Sequence, residues 1–234
     1  MRIVAIKCEP DLRFGAELVQ SCLQTLPAAR RERILRYKKE ADRLRSLIGD
    51  AAVRMQASLC LSKAPSSLRF TANAHGKPAL AEAGTFHFNV SHSGCWVVCA
   101  FARFPVGVDI ERVRPIRFQI AERFFAAEEA AALRQLPEAD RSDYFFDIWT
   151  LKESYIKLDG RGLALPLDAF WFRQERNGYV LADGPRKPVC VRHYAIDPHY
   201  KCAVCADHDE LPKTADVTDA AELLRRYLRL CREF

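Results

Sequence analysis

Asp109 and Glu111 stand two residues apart in the stretch Val106-Gly-Val-Asp-Ile-Glu-Arg112. On a strand, alternate side chains share a face, so both carboxylates point one way while Ile110 turns toward the core. At a rise of roughly 3.3 Å per residue they lie about 7 Å apart, and they repel unless something positive sits between them. A hard divalent cation meets that need, since Mg²⁺ takes one or two carboxylates together with phosphate oxygens. Two solvated acids on an edge strand would show the same pattern. Further along, Trp149, Glu153 and Lys157 fall at i, i+4 and i+8, one face of a helix. Glu153 offers a third oxygen ligand and Lys157 a counter-charge for phosphate. The competing reading is an exposed Glu–Lys pair worth about 0.3 kcal/mol, which the large Trp on the same stripe weakens.

A third stretch, Phe86 to Gly94, runs from a half-buried strand into the small polar turn Ser91-His92-Ser93-Gly94. A hydroxyl, an imidazole and backbone N–H groups meet there and can cradle a phosphate. Adjacent residues need not face each other, so Ser91 and His92 are not read as nucleophile and base. No Gly-x-Ser-x-Gly elbow occurs in the chain, which argues against a hydrolase triad. Cys202-Ala-Val-Cys205 has zinc-knuckle spacing but no second pair to complete a site, and reads as a buried strand. Gly76-Lys77-Pro78 lacks the P-loop pattern, although the proline holds Lys77 extended.

Periodicity supplies the elements that carry these residues. Ile34, Tyr37, Ala41, Leu44, Ile48, Ala51 and Met55 recur at spacings of three and four, predicting one long amphipathic helix. Met1 to Pro10, Leu68 to Thr71, Phe86 to Val90, Trp96 to Phe101 and Val106 to Ile110 read as strands. Helices over about 118–136 and 140–158 follow, broken at Leu136-Pro137, and Asp159-Gly160 ends the second. Strands at Phe170 to Arg173, Tyr179 to Leu181, Val189 to Ile196 and Lys201 to Ala206 come next. A C-terminal helix then opens near Asp219, where Asp-x-x-Glu222 fits a capping box. Val-Cys-Ala occurs at 98–100 and again at 204–206. The repeated order predicts an α+β fold of two similar halves, residues 1–104 and 105–234, each with helices on a small, mostly antiparallel sheet. The active site is expected between them.

The chain has 234 residues, 49% hydrophobic and 28% charged, which excludes collagen-like, low-complexity and disordered classes. Such a chain can bury roughly 70% of its unfolded surface, a core that needs no disulfides. Nine cysteines, an odd number with several in apolar runs, suit small hydrophobes in a reducing compartment, so the cytoplasm is expected. No run approaches the 18 apolar residues of a membrane span, and the start lacks a signal peptide's apolar stretch. The net charge is +6, and residues 30–45, RRERILRYKKEADRLR, hold eight Lys or Arg against three Asp or Glu. An anionic partner follows from that surplus: nucleic acid, a phosphorylated cofactor or an acidic protein.

Together these pieces resemble the Sfp-type 4′-phosphopantetheinyl transferases. The resemblance rests on Gly76-Lys77-Pro78, Phe88 to Gly94, Val106 to Glu111, Arg123-Phe-Phe125, Trp149 to Lys157 and Gly160 to Asp168, in the family's order and at its spacings. It implies that coenzyme A and a carrier-protein serine give a phosphopantetheinylated serine and adenosine 3′,5′-bisphosphate. By that resemblance Asp109, Glu111 and Glu153 hold Mg²⁺ against the coenzyme A pyrophosphate and Lys157 contacts the phosphates. Ser91 and His92 meet the nucleotide, His92 at the 3′-phosphate, and Lys77 lies near the adenine. Arg30, Arg33 and Ser46 sit where the family reaches the 3′-phosphate. Glu153 is the general base, directly or through a metal-bound water, with Glu111 and then Glu129 as alternatives. The partner implied is a small acidic acyl- or peptidyl-carrier domain, docking near Ile116 to Phe125, and the chain a monomer. A Mg²⁺-dependent pyrophosphate hydrolase and a nucleic-acid-binding module compete. The latter leaves the three carboxylates unexplained and has no recognition motif to support it.

Overall fold

The computed structural model describes residues 1–8, 16–81, 84–185, 188–209 and 211–234. Its first half runs β1 (Arg2–Lys7), α1 (Ala16–Gln24), α2 (Ala28–Leu35), α3 (Glu40–Leu61), the hairpin β2 (Phe70–Ala72) and β3 (Pro78–Leu80), then β4 (His87–Ser93) and β5 (Trp96–Ala102). The second half repeats that order as β6 (Val106–Arg112), α4 (Gln119–Phe124), α5 (Ala127–Gln135) and α6 (Glu138–Asp159). The hairpin β7 (Trp171–Glu175) and β8 (Gly178–Asp183) follows, then β9 (Cys190–His193) and β10 (Tyr200–Ala206). Two elements have no counterpart, β11 (Asp216–Asp219) and α7 (Ala220–Glu233).

The sheets repeat as well: β1-β5-β4 in the first half and β6-β10-β9 in the second, all antiparallel. Both are covered on two faces, which is why β5, Trp-Val-Val-Cys-Ala-Phe-Ala, is buried throughout and shows no polar alternation. Val97, Cys99 and Phe101 pack under α1, α3 and α7. Trp96, Val98 and Ala100 meet Val106, Val108 and Ile110 of β6 and Val204 of β10 in a core between the sheets. A third core joins α5 and α6 to the outer face of β10 through Phe145, Leu151, Tyr155 and Cys205. The layers therefore run helices, sheet, sheet, helices, and each large apolar side chain sealed this way contributes about 1.5–3 kcal/mol.

Four expectations change. The helix predicted from Ile34 to Met55 is two helices, broken between Leu35 and Glu40. Lys39 is extended (φ −92°, ψ 132°), and a new helix starts on Glu40 and Asp42, acids that suit the positive end of its dipole. Ile34 is buried, whereas Leu35 and Tyr37 are exposed. The helix expected over 118–136 breaks at Phe125-Ala126, where Glu129 folds back to accept the Ala126 N–H at 3.0 Å and caps α5. Short strands β3 and β11 were not expected. The last residues of the expected second half do not pack with it: β11 pairs in parallel with β1, Val4 opposite Asp216, and α7 lies on α1 and α3. Asp219 caps α7 as expected, accepting from the N–H groups of Ala221 and Glu222 at 2.8 and 3.1 Å.

The opening strand covers residues 2–7, and positions 9 and 10 of that expectation lie outside the described residues. All nine cysteines are unpaired thiols, and Cys202 and Cys205 are buried in β10. No described helix is long and apolar enough to cross a membrane.

Candidate active site

Gly107 lets α6 lie directly on β6. A Cβ there would stand 2.0 Å from the Ser154 carbonyl oxygen and 2.4 Å from the Leu158 backbone nitrogen. With Val106, Val108 and Ile110 turned into the inter-sheet core, Gly107, Asp109 and Glu111 share the other face of β6, as strand alternation requires. Glu153 and Lys157, four residues apart on α6, face that side of the strand. Lys157 Nζ donates to Asp109 Oδ1 at 2.6 Å and to Ser91 Oγ at 3.0 Å.

The three carboxylates feel one another. Burial pushes the Glu153 carboxyl above its ordinary range, and the charges of Asp109 and Glu111 push it further, against the pull of Lys157. Burial and then Asp109 raise Glu111 likewise, opposed by the Ser93 hydroxyl and Lys157. The Glu153 side chain has no hydrogen bond or ion pair among the described residues, and Lys157 acts on it through its charge. Asp109 is 3% exposed, and its Oδ2 is buried without a partner.

No three His, Cys, Asp or Glu side chains among the described residues form a ready-made metal sphere. The Lys157 ammonium rests on Asp109 instead. Three carboxylates offset by one lysine, with an orphaned buried oxygen among them, are nevertheless a donor set that fits a hard divalent cation. Asp109, Glu111 and Glu153 are the residues that could hold it.

These carboxylates lie where the halves meet. β4 runs beside β6 although the two belong to different sheets, and side chains take the place of a backbone ladder. Asn89 Oδ1 accepts the Val108 N–H at 2.9 Å, Ser91 Oγ that of Ile110 at 3.4 Å, and Ser93 Oγ that of Arg112 at 3.1 Å. The two serines also donate to the carboxylates, Ser91 to Asp109 Oδ1 at 2.7 Å and Ser93 to Glu111 Oε2 at 2.8 Å. The period of two in Asn-x-Ser-x-Ser is the sequence signal for this face, and Asn89 and Ser93 were overlooked.

Ser91, expected at the nucleotide, has its one donor and both acceptor positions taken by Asp109, Ile110 and Lys157. His92 points to the other face of β4. Desolvation lowers its pKa first, then the charges of Arg45 and Lys157. Arg45 reaches from α3 to the Gly94 carbonyl at 2.8 Å while pairing with Asp42, and so brings a partly offset positive charge to this turn. Arg30 pairs with Asp50 and donates to Ser46 Oγ at 3.2 Å, so these two expected residues sit together, with Arg30 partly neutralised. Arg33 is exposed on α2.

Lys77 donates to the carbonyls of Leu158 at 3.1 Å and Val106 at 3.3 Å, tying the β2–β3 loop across to the second half. Asn73 in the same loop reinforces that tie by donating to the Gly160 carbonyl at 2.8 Å. Glu129, the third candidate base, is 1% exposed. It is saturated by Lys152 Nζ at 2.7 Å and the N–H groups of Ala126 and Phe172. Lys152 therefore points away from Glu153, into the core, and Trp149 stacks on Phe145 there with centroids 5.6 Å apart.

Comparison with known proteins covers both halves. Residues 16–103 match the family model described as 4′-phosphopantetheinyl transferase, N-terminal, and residues 105–205 that of the 4′-phosphopantetheinyl transferase superfamily. The chain is 40% identical over 216 residues to 4′-phosphopantetheinyl transferase Sfp of Bacillus subtilis (strain 168), 92% of this chain and 96% of that one. It is 35% identical over 178 residues to 4′-phosphopantetheinyl transferase gsp of Aneurinibacillus migulanus, 76% of this chain and 74% of that one. Among solved structures, a Bacillus anthracis holo-(acyl-carrier-protein) synthase in complex with CoA aligns at TM-score 0.40 and 17% identity, over 44% of this chain and 94% of that one. Matched in sequence along both halves and over nearly its whole length, the chain belongs to the Sfp-type 4′-phosphopantetheinyl transferase family.

Proposed function

We propose that the junction of β4, β6 and α6 is where this transferase moves the 4′-phosphopantetheine arm of coenzyme A to a serine hydroxyl of an apo acyl- or peptidyl-carrier protein, releasing adenosine 3′,5′-bisphosphate. The observation that carries the placement is the convergence of Asp109, Glu111, Glu153 and Lys157 on one side of β6, with Asp109 Oδ2 buried and unpartnered. Family membership supports the reaction.

Asp109, Glu111 and Glu153 would hold Mg²⁺, which when bound supplies positive charge to the pyrophosphate. Lys157, released from Asp109, gives a charge-assisted hydrogen bond to the phosphate on which charge builds. Glu153, whose carboxylate has no hydrogen-bond partner among the described residues, takes the proton from the carrier serine. The serine oxygen then forms a bond to the phosphorus nearer the pantetheine arm, and that phosphorus loses its bond to the bridging pyrophosphate oxygen. The proton ends on Glu153 and the electron pair on the leaving bisphosphate. Arg45, beside the β4–β5 turn, provides charge for the 3′-phosphate and the His92 imidazole a neutral hydrogen bond, while Arg30 and Arg33 add positive charge from the first half and Lys77 lies near the adenine.

Intact-mass spectrometry of an apo carrier protein incubated with this protein, coenzyme A and Mg²⁺ tests the reading. A gain of about 340 Da, the mass of one phosphopantetheine arm, that EDTA abolishes and Mg²⁺ restores is the expected result. A gain that survives EDTA refutes the three-carboxylate metal site. Consumption of coenzyme A with no gain on the carrier marks a hydrolase instead.

A further inference from the structure

Two serines of the first half grip the carboxylates of the second in a repeating way that the reaction itself does not require. Ser91 accepts the N–H of Ile110 and donates to the carboxylate of Asp109 just before it. Ser93 accepts the N–H of Arg112 and donates to the carboxylate of Glu111 just before that. Each hydroxyl thus straddles one carboxylate and the next peptide group, with the same offset along two strands running the same way. Asn89 makes the backbone half of this contact with Val108 and has no carboxylate to hold.

A hydroxyl can serve both groups because it carries one donor and two acceptor positions. Anchored to a peptide N–H, it cannot drift, so the oxygen it donates to is fixed and the carboxylate's other oxygen is aimed elsewhere. At Asp109 that other oxygen is the buried, unpartnered Oδ2.

We propose that Ser91 and Ser93 are positioning residues that hold Asp109 and Glu111 in the orientation that takes up a divalent cation, so that a strand of one half sets the metal affinity of the other. The proposal rests on the metal site described above. Metal-bound ligands depend on such outer partners for about 10–100-fold in affinity.

The test is Mn²⁺ binding, read as the loss of the free-ion EPR signal on titration into the protein with coenzyme A present, together with thermal unfolding. Ser91→Ala and Ser93→Ala are expected to weaken Mn²⁺ binding about 10–100-fold, and Ser→Thr at either position, which keeps the hydroxyl, to restore it. Asn89→Ala removes the same kind of backbone contact with no carboxylate attached. It is expected to lower the melting temperature and leave Mn²⁺ affinity unchanged. Should Ser91→Ala not fold, Ser93→Ala, at a partly exposed site, carries the test alone. Serine variants that fold and bind Mn²⁺ like the wild type overturn the proposal, as does an Asn89→Ala variant that loses affinity to the same degree. A wild-type protein that binds no Mn²⁺ refutes the metal site instead, and with it the ground on which the proposal stands.

Discussion

Lys152 and Glu129 are adjacent in role to nothing catalytic, and that is a testable statement because Lys152 sits beside Glu153 in sequence. Both side chains are wholly buried, and the ammonium lies 2.7 Å from Glu129 Oε2. Its other two donors go to the carbonyls of Leu167 at 2.8 Å and Phe170 at 2.7 Å. Burial pushes both groups toward their neutral forms, Glu129 upward and Lys152 downward, and their mutual attraction works against it. Lys152→Met would leave a buried carboxylate with two peptide N–H groups and no cation. Breaking a buried pair from one side costs about 3–5 kcal/mol. In a chain of this size each kcal/mol moves the melting temperature about 2–4 °C, so a fall of about 6–20 °C is expected in differential scanning calorimetry. Glu129→Gln should also lower the melting temperature, yet turnover per folded molecule should stay near that of the wild type. A Lys152→Met variant that melts within about 2 °C of the wild type refutes the argument, since that shift corresponds to under about 1 kcal/mol. A Glu129→Gln variant with wild-type melting and turnover reduced about 100-fold would restore Glu129 as a base.

Two further substitutions probe the site itself. Glu153→Gln should lower kcat about 10²–10⁴-fold while coenzyme A still binds in isothermal titration calorimetry, and wild-type turnover in that variant would remove Glu153 as the base. Gly107→Ala places a methyl carbon 2.0 Å from the Ser154 carbonyl oxygen, a backbone atom that cannot rotate away, so α6 must lift from β6. A shift of about 1 Å in Glu153 and Lys157 is enough for an activity loss of about 100-fold, measured as kcat/KM, and unchanged kcat/KM would show that the close approach is not needed.

How far the sequence spoke depended on whether a feature is local. Gly-x-Asp-x-Glu on a strand and Glu153 with Lys157 on one helical face follow from periods of two and 3.6, and they face each other as expected. The break between α2 and α3 was hidden because Ile34 keeps the apolar spacing across a gap that only the extended Lys39 reveals. Lys152 adjoins Glu153 in sequence, and nothing in its own segment reports that Glu129 and the Phe170 carbonyl wait on the opposite side. Ser91 is placed at the nucleotide by the family resemblance alone, and its partners on β6, 18 and 19 residues away, lie beyond any periodic signal.

The duplicated halves explain why the junction is built once. Val98, Cys99 and Ala100 of β5 lie opposite Ala5, Val4 and Ile3 of β1, while Val204, Cys205 and Ala206 of β10 lie opposite Val108, Gly107 and Val106 of β6. The repeated Val-Cys-Ala therefore sets the two strands in register, with Val4 standing for Gly107, Ile6 for Asp109 and Cys8 for Glu111. Ile6 and Cys8 are buried in the first half's apolar core, where a carboxylate would be costly. The free edge of β6 is met by β4 through serine and asparagine side chains, and the corresponding edge of β1 is met by β11 through a parallel backbone ladder. The C-terminal strand thus occupies on the first half the place that β4 occupies on the second. Once a backbone ladder fills that edge, no side-chain junction forms there, and the fold is left with one set of carboxylates at one junction.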